Sequence, residues 1–176
     1  MPDTTTPRSH RWLLIAAMIV GLAAAAGGVA TWQLWFQPEI RPTFTLPDLD
    51  EEPRSITEWD GELIVLNFWA TWCPPCVKEI PVFTALQDDY ADQGVQFIGV
   101  AIDRLEDARE FYDELDMNYP SLYGVQEAMD INEAYGNELG TLPYTVIIGR
   151  DGEILHRFPR EVTREEFEPV LKRYLE

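Results

Sequence analysis

The chain has 176 residues, of which 46% are hydrophobic and 25% charged, with 13 Lys and Arg against 31 Asp and Glu for a formal net charge of −18. That length admits one compact domain plus a short extra segment, and the composition excludes a disordered or fibrous protein. The acidic excess repels phosphate and excludes a nucleic-acid partner; it equally disfavours lying on anionic lipid, and reads as solubility or adaptation to salt.

In chain order, the first signal is a run without charge from Trp12 to Gln37, with Arg8, His10 and Arg11 before it and Glu39 after it. Roughly 20 apolar residues cross a bilayer as a helix, and the basic flank keeps the N-terminus in the cytoplasm. The expected layout is a cytoplasmic N-terminus over 1–11, a transmembrane signal anchor over 12–34, a linker over 35–41 and a folded domain over 42–176 on the outer face of the cytoplasmic membrane. The alternative is a cleavable signal peptide with Gly28-Val29-Ala30 as its small-residue site, although the apolar run exceeds the roughly 7–15 residues of an ordinary signal core. No cysteine lies near the segment, which excludes a lipoprotein anchor.

Residues 38–60, rich in Pro and acidic side chains, read as a linker that becomes an edge strand or turn. The continuous apolar runs LIVLNFW (63–69) and VQFIGVAI (95–102) predict strands buried on both faces. Between them the spacing of Val77, Ile80, Phe83, Ala85 and Leu86 predicts a helix from Pro74 to about Tyr90, with Pro81 kinking it. Helices over 105–115 and 126–135 flank a short extended piece at 120–123. YTVIIG (144–149) and EILHRF (153–158) predict a hairpin through Arg150-Asp151-Gly152. Thr163 and Glu166 form a capping box that opens a last helix, with Phe167, Val170, Leu171 and Tyr174 on one face. Strands alternating with helices and closing in a hairpin predict one α/β domain with a mixed sheet covered on both faces.

The chemistry concentrates in WATWCPPCVKEIP (69–81), which holds both cysteines, Cys73 and Cys76. Zinc needs about four ligands, and the exported part offers only these two and the distant His156. Covalent haem attachment needs His directly after the second cysteine, where Val77 stands. A copper-relay relative would space its cysteines by three residues and add a nearby His. A structural staple is the remaining bland reading, yet closing so short a loop constrains the unfolded chain little. The pair instead follows a buried strand and opens a helix, where free N–H groups and the helix dipole favour a thiolate. Cys73 is then the attacking sulfur, Cys76 resolves the mixed disulfide, and Pro74 and Pro75 stiffen the loop at positions that need no N–H partner.

NFWATWCPPCVKEIP, the lead-in from residue 42, Pro81, Leu142-Pro143 before YTVIIGRDG and the final capping-box helix together resemble the TlpA/ResA-type thioredoxin-like proteins, which include CcmG (DsbE). The resemblance covers about residues 42–176. It implies a thioredoxin fold with a helix-strand-helix insertion over 104–136, a cis Pro143 beside the cysteine pair, and Leu142 and Tyr144 with Pro74 and Pro75 at the client-facing rim. Trp72 and Trp69 flank the pair, the latter equally readable as core packing. Glu79 matches an acidic residue that tunes cysteine ionisation in the ResA-type subgroup, or is a solvated helix charge. Asn67 stands where thioredoxin has a buried Asp, so the proton acceptor must be Glu79, water or no group at all.

The resemblance further implies a membrane-anchored reductase without cofactor or metal. It would be fed by a membrane thiol transporter of DsbD/CcdA type and act on a client disulfide, with apocytochrome c as the favoured client. The alternative class is a binding module or chaperone whose disulfide is idle.

Overall fold

The computed structural model describes residues 12–22, 24, 28 and 37–175, in two units divided at Pro38. In the first unit residues 12–22 are helical and their large apolar side chains, among them Trp12, Leu14 and Met18, are exposed. Among the described residues no helix is long and apolar enough to cross a membrane. The remainder of the expected 12–34 anchor, and all of 1–11, lie outside the described residues apart from positions 24 and 28.

The second unit is built on a five-stranded sheet. Its strands are β3 (Leu63–Trp69), β4 (Val95–Ile102), β5 (Ser121–Gly124), β6 (Tyr144–Ile148) and β7 (Ile154–Phe158), in the order β5-β4-β3-β6-β7. The first three run parallel, β6 is antiparallel to β3, and β7 returns antiparallel to β6. The expected Asp-Gly hairpin forms: Gly152 takes φ +85°, and its N–H donates to Gly149 O at 2.9 Å. Only glycine reaches that left-handed region without strain.

Both β3 and β4 are buried almost throughout, because helices cover both sheet faces. Alternate residues therefore serve two separate cores. Leu63, Val65 and Trp69 pack with Ile80, Phe83 and Leu86 of α1 (Pro74–Tyr90), Ala108 of α2 (Leu105–Glu114) and Phe167 and Leu171 of α4 (Arg164–Lys172). Ile64, Leu66 and Phe68 face the other way, onto Ala128 of α3 (Gln126–Ala134), Leu46, Ile56 and Trp59. An aromatic cluster of Phe83, Phe97, Phe158 and Phe167, with ring centroids 5.1–6.2 Å apart, ties α1 and α4 to the first face.

The lead-in is more structured than a linker with one edge strand. Strands β1 (Thr45–Pro47) and β2 (Pro53–Ser55) form a separate two-stranded antiparallel sheet, followed by a 3-10 turn over Ile56–Trp59. That turn carries a capping box between Ser55 and Glu58 and buries Ile56 fully. The 104–136 insertion is α2-β5-α3, and β5 supplies the sheet's edge beyond β4. At α4, Glu166 accepts the Thr163 N–H at 3.3 Å, the returning arm of the predicted capping box.

Candidate functional site

The site forms where β3 ends and α1 begins. Cys73 is the N-cap of α1, and Pro74 and Pro75 fill the next two positions. Neither proline has an N–H, so the first donor the helix can aim at the cap is that of Cys76, which donates to Cys73 Sγ at 3.3 Å. The two cysteines form a disulfide, with Cα atoms 5.3 Å apart. Both cysteines are buried, Cys73 at 4% and Cys76 at 1% exposure. The turn before them is held from just beyond β4, where Asp103 Oδ2 accepts the Thr71 N–H at 2.7 Å, and closes on itself where the Cys73 N–H donates to Ala70 O at 3.2 Å.

Glu79 lies one helical turn beyond Cys76 on the same face of α1. It is 1% exposed, so the reading of a solvated helix charge does not hold. Asn67 Nδ2 donates to Glu79 Oε1 at 2.9 Å, Thr145 Oγ1 to the same oxygen at 3.4 Å, and the Val162 N–H to Oε2 at 2.9 Å. Burial dominates over these donors and, with the nearby Glu161 charge, pushes the carboxyl up to about 8. Asn67 therefore does not substitute for an acid; its amide grips one. It also donates to Thr145 Oγ1 at 2.9 Å, its cross-strand neighbour on β6.

The second wall comes from the loop before β6. The Leu142–Pro143 bond is cis and Pro143 is buried. Leu142 packs against the same core that contains both cysteines. Asn137, which sequence reasoning passed over, staples this loop: its Nδ2 donates to Thr141 O at 2.7 Å and to Asn132 Oδ1 at 3.1 Å. Leu142 and Trp72 line a common cavity of about 270 Å³ with Met129, Leu139 and Asn132. Trp72 is 64% exposed, Pro74 exposed and Pro75 half-buried, all open to a partner's approach.

Tyr144 departs from the expected rim. It is 3% exposed, packs in the opposite core, and donates its hydroxyl to Tyr135 O at 3.1 Å. Strand alternation is the cause: Thr145 points to Glu79, so Tyr144 must point away. Trp69 is fully buried core. Among the described residues no group of three His, Cys, Asp or Glu side chains is placed to hold a metal ion.

A mixed sheet with a Cys-Pro-Pro-Cys disulfide capping its long helix, and a cis-proline loop packed on the same core, defines a thioredoxin-fold thiol–disulfide protein. The chain belongs to the AhpC/TSA family, whose model matches residues 39–157. It is similar to the thiol-disulfide oxidoreductase ResA of Bacillus cereus, 29% identical over 169 residues that cover 92% of this chain and 95% of the relative. ResA of Halalkalibacterium halodurans is 33% identical over 133 residues, 73% of each chain. Among solved structures, a thiol:disulfide interchange protein of the thioredoxin family from Chlorobium tepidum TLS superposes with a TM-score of 0.72 at 25% identity, covering 80% of this chain and 98% of that one. These likenesses support the TlpA/ResA/CcmG-type thioredoxin-like group, and the chain is a thiol-disulfide oxidoreductase.

Proposed function

We propose that the chain works as a reductase of client disulfides on the outer face of the cytoplasmic membrane, held there by its N-terminal apolar segment. Electrons reach it from a membrane thiol transporter of DsbD/CcdA type, and apocytochrome c, whose cysteines must be reduced before haem attachment, is the favoured client. The observation that carries this reading is the pairing of a helix-capping Cys73, whose sulfur accepts the Cys76 N–H, with a buried carboxyl one turn behind Cys76.

In the reduced protein the Cys73 thiolate, favoured by that N–H and by the helix N-terminus, attacks one sulfur of the client disulfide. A mixed disulfide forms and the client's other sulfur leaves as a thiolate. The Cys76 thiol then gives its proton to the Glu79 carboxylate and attacks Cys73 Sγ. The internal disulfide closes and the second client thiolate departs, so two electrons have passed to the client. Reloading reverses the chemistry. A donor thiolate attacks Cys73, and the Cys76 thiolate that leaves is protonated by Glu79, which burial keeps largely neutral near pH 7. A carboxyl that titrates near the working pH can serve both directions. Trp72, Leu142, Pro74 and Pro75 form the surface a client meets, and the cis Pro143 shapes the loop beside it.

The test is a pair of variants assayed on a disulfide-bonded client. Cys73→Ala is expected to abolish reduction. Cys76→Ala is expected to accumulate a covalent mixed disulfide that thiol reductant releases. Full turnover by Cys76→Ala would overturn the resolving role, and a Cys73–Cys76 reduction potential well below about −300 mV, with no client reduction by the wild type, would favour a binding module with an idle disulfide.

A further inference from the structure

Just beyond β4, Asp103 carries a carboxylate that the fold leaves without a cation. The residue is 9% exposed, and among the described residues no Lys, Arg or His pairs with it. Its neighbour Arg104 is exposed and turned to Asp107, to which its Nε donates at 2.9 Å. An anion buried without a partner is unfavourable. The backbone nevertheless fixes this one beside the site. Strands β3 and β4 pair as far as Trp69 and Ala101, and Thr71 and Asp103 each lie two residues further on. The Asp103 N–H donates to Gly124 O at 3.1 Å, and its Oδ2 accepts the Thr71 N–H at 2.7 Å. Thr71 lies inside the turn that the Cys73 N–H closes on Ala70 O. Consecutive Cα atoms are about 3.8 Å apart, so this turn keeps the carboxylate on the order of 10 Å from the Cys73 sulfur.

The helix, for its part, gives that sulfur less than a helix start ordinarily does. Pro74 and Pro75 have no N–H, so of the first three helical donors only that of Cys76 remains, at 3.3 Å.

We propose that Asp103 is a positioning residue whose charge sets the redox poise of the cysteine pair: it holds the Thr71 turn and, by like-charge repulsion, disfavours the Cys73 thiolate, which makes the couple more reducing. Opening the disulfide takes two electrons and one proton, and yields a thiolate at Cys73 and a thiol at Cys76. The new negative charge exists only in the reduced form. A fixed anion nearby therefore favours the disulfide and strengthens the tendency to pass electrons on. At on the order of 10 Å and an effective dielectric constant of about 20, one unit charge changes an ionisation roughly tenfold. A helix N-terminus alone stabilises the reduced form and favours an oxidant; Asp103 opposes it. The other titratable groups on these elements are Cys76 and Glu79 of α1, with Lys78 and Arg104 exposed to solvent. Burial keeps Glu79 largely neutral near pH 7, so it adds little charge to this balance.

This inference rests on Cys73 as the attacking thiolate of a reductase, and its test uses the solubilised full-length chain without client or membrane donor. Asp103→Asn keeps an oxygen to accept the Thr71 N–H and removes the charge. The Cys73 thiolate is followed by its ultraviolet absorbance against pH in the Cys76→Ala background. Adding Asp103→Asn is expected to make that thiol three- to tenfold more acidic. In the two-cysteine protein, equilibration with reduced and oxidised glutathione should favour the dithiol form three- to tenfold more than in the wild type, a rise in potential of about 14–30 mV. A folded Asp103→Asn that leaves either quantity within twofold of its value with Asp103, or moves it in the opposite sense, overturns the inference. If Asp103→Asn does not fold, Asp103→Ser, which also keeps an acceptor oxygen, is read by the same limits. Both readouts are equilibria that need no client. A wild type that fails to reduce clients therefore leaves them readable, and their failure leaves the Cys73 and Cys76 assay standing.

Discussion

The two faces of the central sheet are made by the same strands and do opposite things. Facing α3 and the β1–β2 hairpin, β3, β4 and β6 present Ile64, Leu66, Phe68, Ile98, Val100, Val146 and Ile148, all apolar and buried. Facing α1, the same strands place Thr145, Asn67 and Gly99 side by side, with Glu79 gripped above them. The contrast separates stability from chemistry within a single sheet. One face carries few polar groups, chiefly the Tyr144 and Tyr135 hydroxyls, which donate to Tyr135 O and Pro42 O, and it contributes mainly hydrophobic burial. The other accepts a buried carboxyl that destabilises the fold when ionised, one helical turn beyond Cys76, where the proposed reaction uses it as a proton carrier. Strand alternation makes the division possible, and a one-residue slip would exchange the faces.

Glu79→Gln is the substitution that breaks this contrast most completely. The folded protein holds the Glu79 proton more tightly than the unfolded chain, since the carboxyl is raised from 4.5 to about 8. Its stabilising contribution is therefore complete below about pH 4.5 and is lost as pH rises through about 8, by at most about 5 kcal/mol. Gln has no proton to lose, so denaturant unfolding followed against pH should lose this slope. Gln also presents one N–H₂ where both Asn67 and Val162 donate, which costs about 1 kcal/mol but does not vary with pH. Client reduction should slow by about 100-fold and lose its inflection near pH 8, in line with removal of a general acid–base. A variant with unchanged pH slopes would return Glu79 to the status of an inert buried side chain.

Phe68→Ala probes the opposite face. Phe68 is fully buried between Tyr135 and Tyr144, and its truncation should cost about 3–5 kcal/mol in denaturant unfolding. The pH profile of exchange should not move, because nothing on that face touches the carboxyl. Asn67→Ala sharpens the comparison from the other side. It removes the 2.9 Å donor to Glu79 and the 2.9 Å donor to Thr145, at a cost of about 1–3 kcal/mol. Because the lost donor had favoured the ionised carboxylate, the exchange inflection should move to higher pH. A stability loss without that movement would make Asn67 a packing residue only.

Much of this division was legible in the sequence. β4 and α1 fall on their predicted bounds, since long apolar or periodic runs between clear breakers leave little choice. The cysteine pair at the helix cap and the α2-β5-α3 insertion were also readable. The β1–β2 pair was not, because three-residue strands containing Pro47 and Pro53 carry almost no periodicity. Tyr144 was misplaced because the side a residue takes depends on register, which only the pairing of Thr145 with Asn67 reveals. The roles of Asn67 and Thr145 did have a signal: each is a lone polar residue inside a strand buried on both faces, and a buried polar group must find a partner. The partner, Glu79, comes from another element, so its identity had to await the fold. Asp103 and Asn137, which hold the two loops of the site, act through backbone hydrogen bonds that leave no sequence pattern.

The smallest effect on stability is expected at the most exposed part of the site. Trp72 is 64% exposed, so little of its apolar surface is removed from water in the free protein. Trp72→Ala should therefore shift unfolding by less than about 0.5 kcal/mol. Its ring nevertheless lines the cavity it shares with Met129, Leu139 and Leu142, where a client segment would cover it. Burying an aromatic ring at an interface contributes more than burying most other side chains, so the loss should appear as a KM for a protein client raised several-fold. The pH inflection should stay where Glu79 puts it, because Trp72 lies outside that carboxyl's hydrogen-bond network. A change in KM with a fixed inflection would separate client recognition from proton handling. A shifted inflection would instead couple the exposed rim to the buried carboxyl, and the two could no longer be treated as independent.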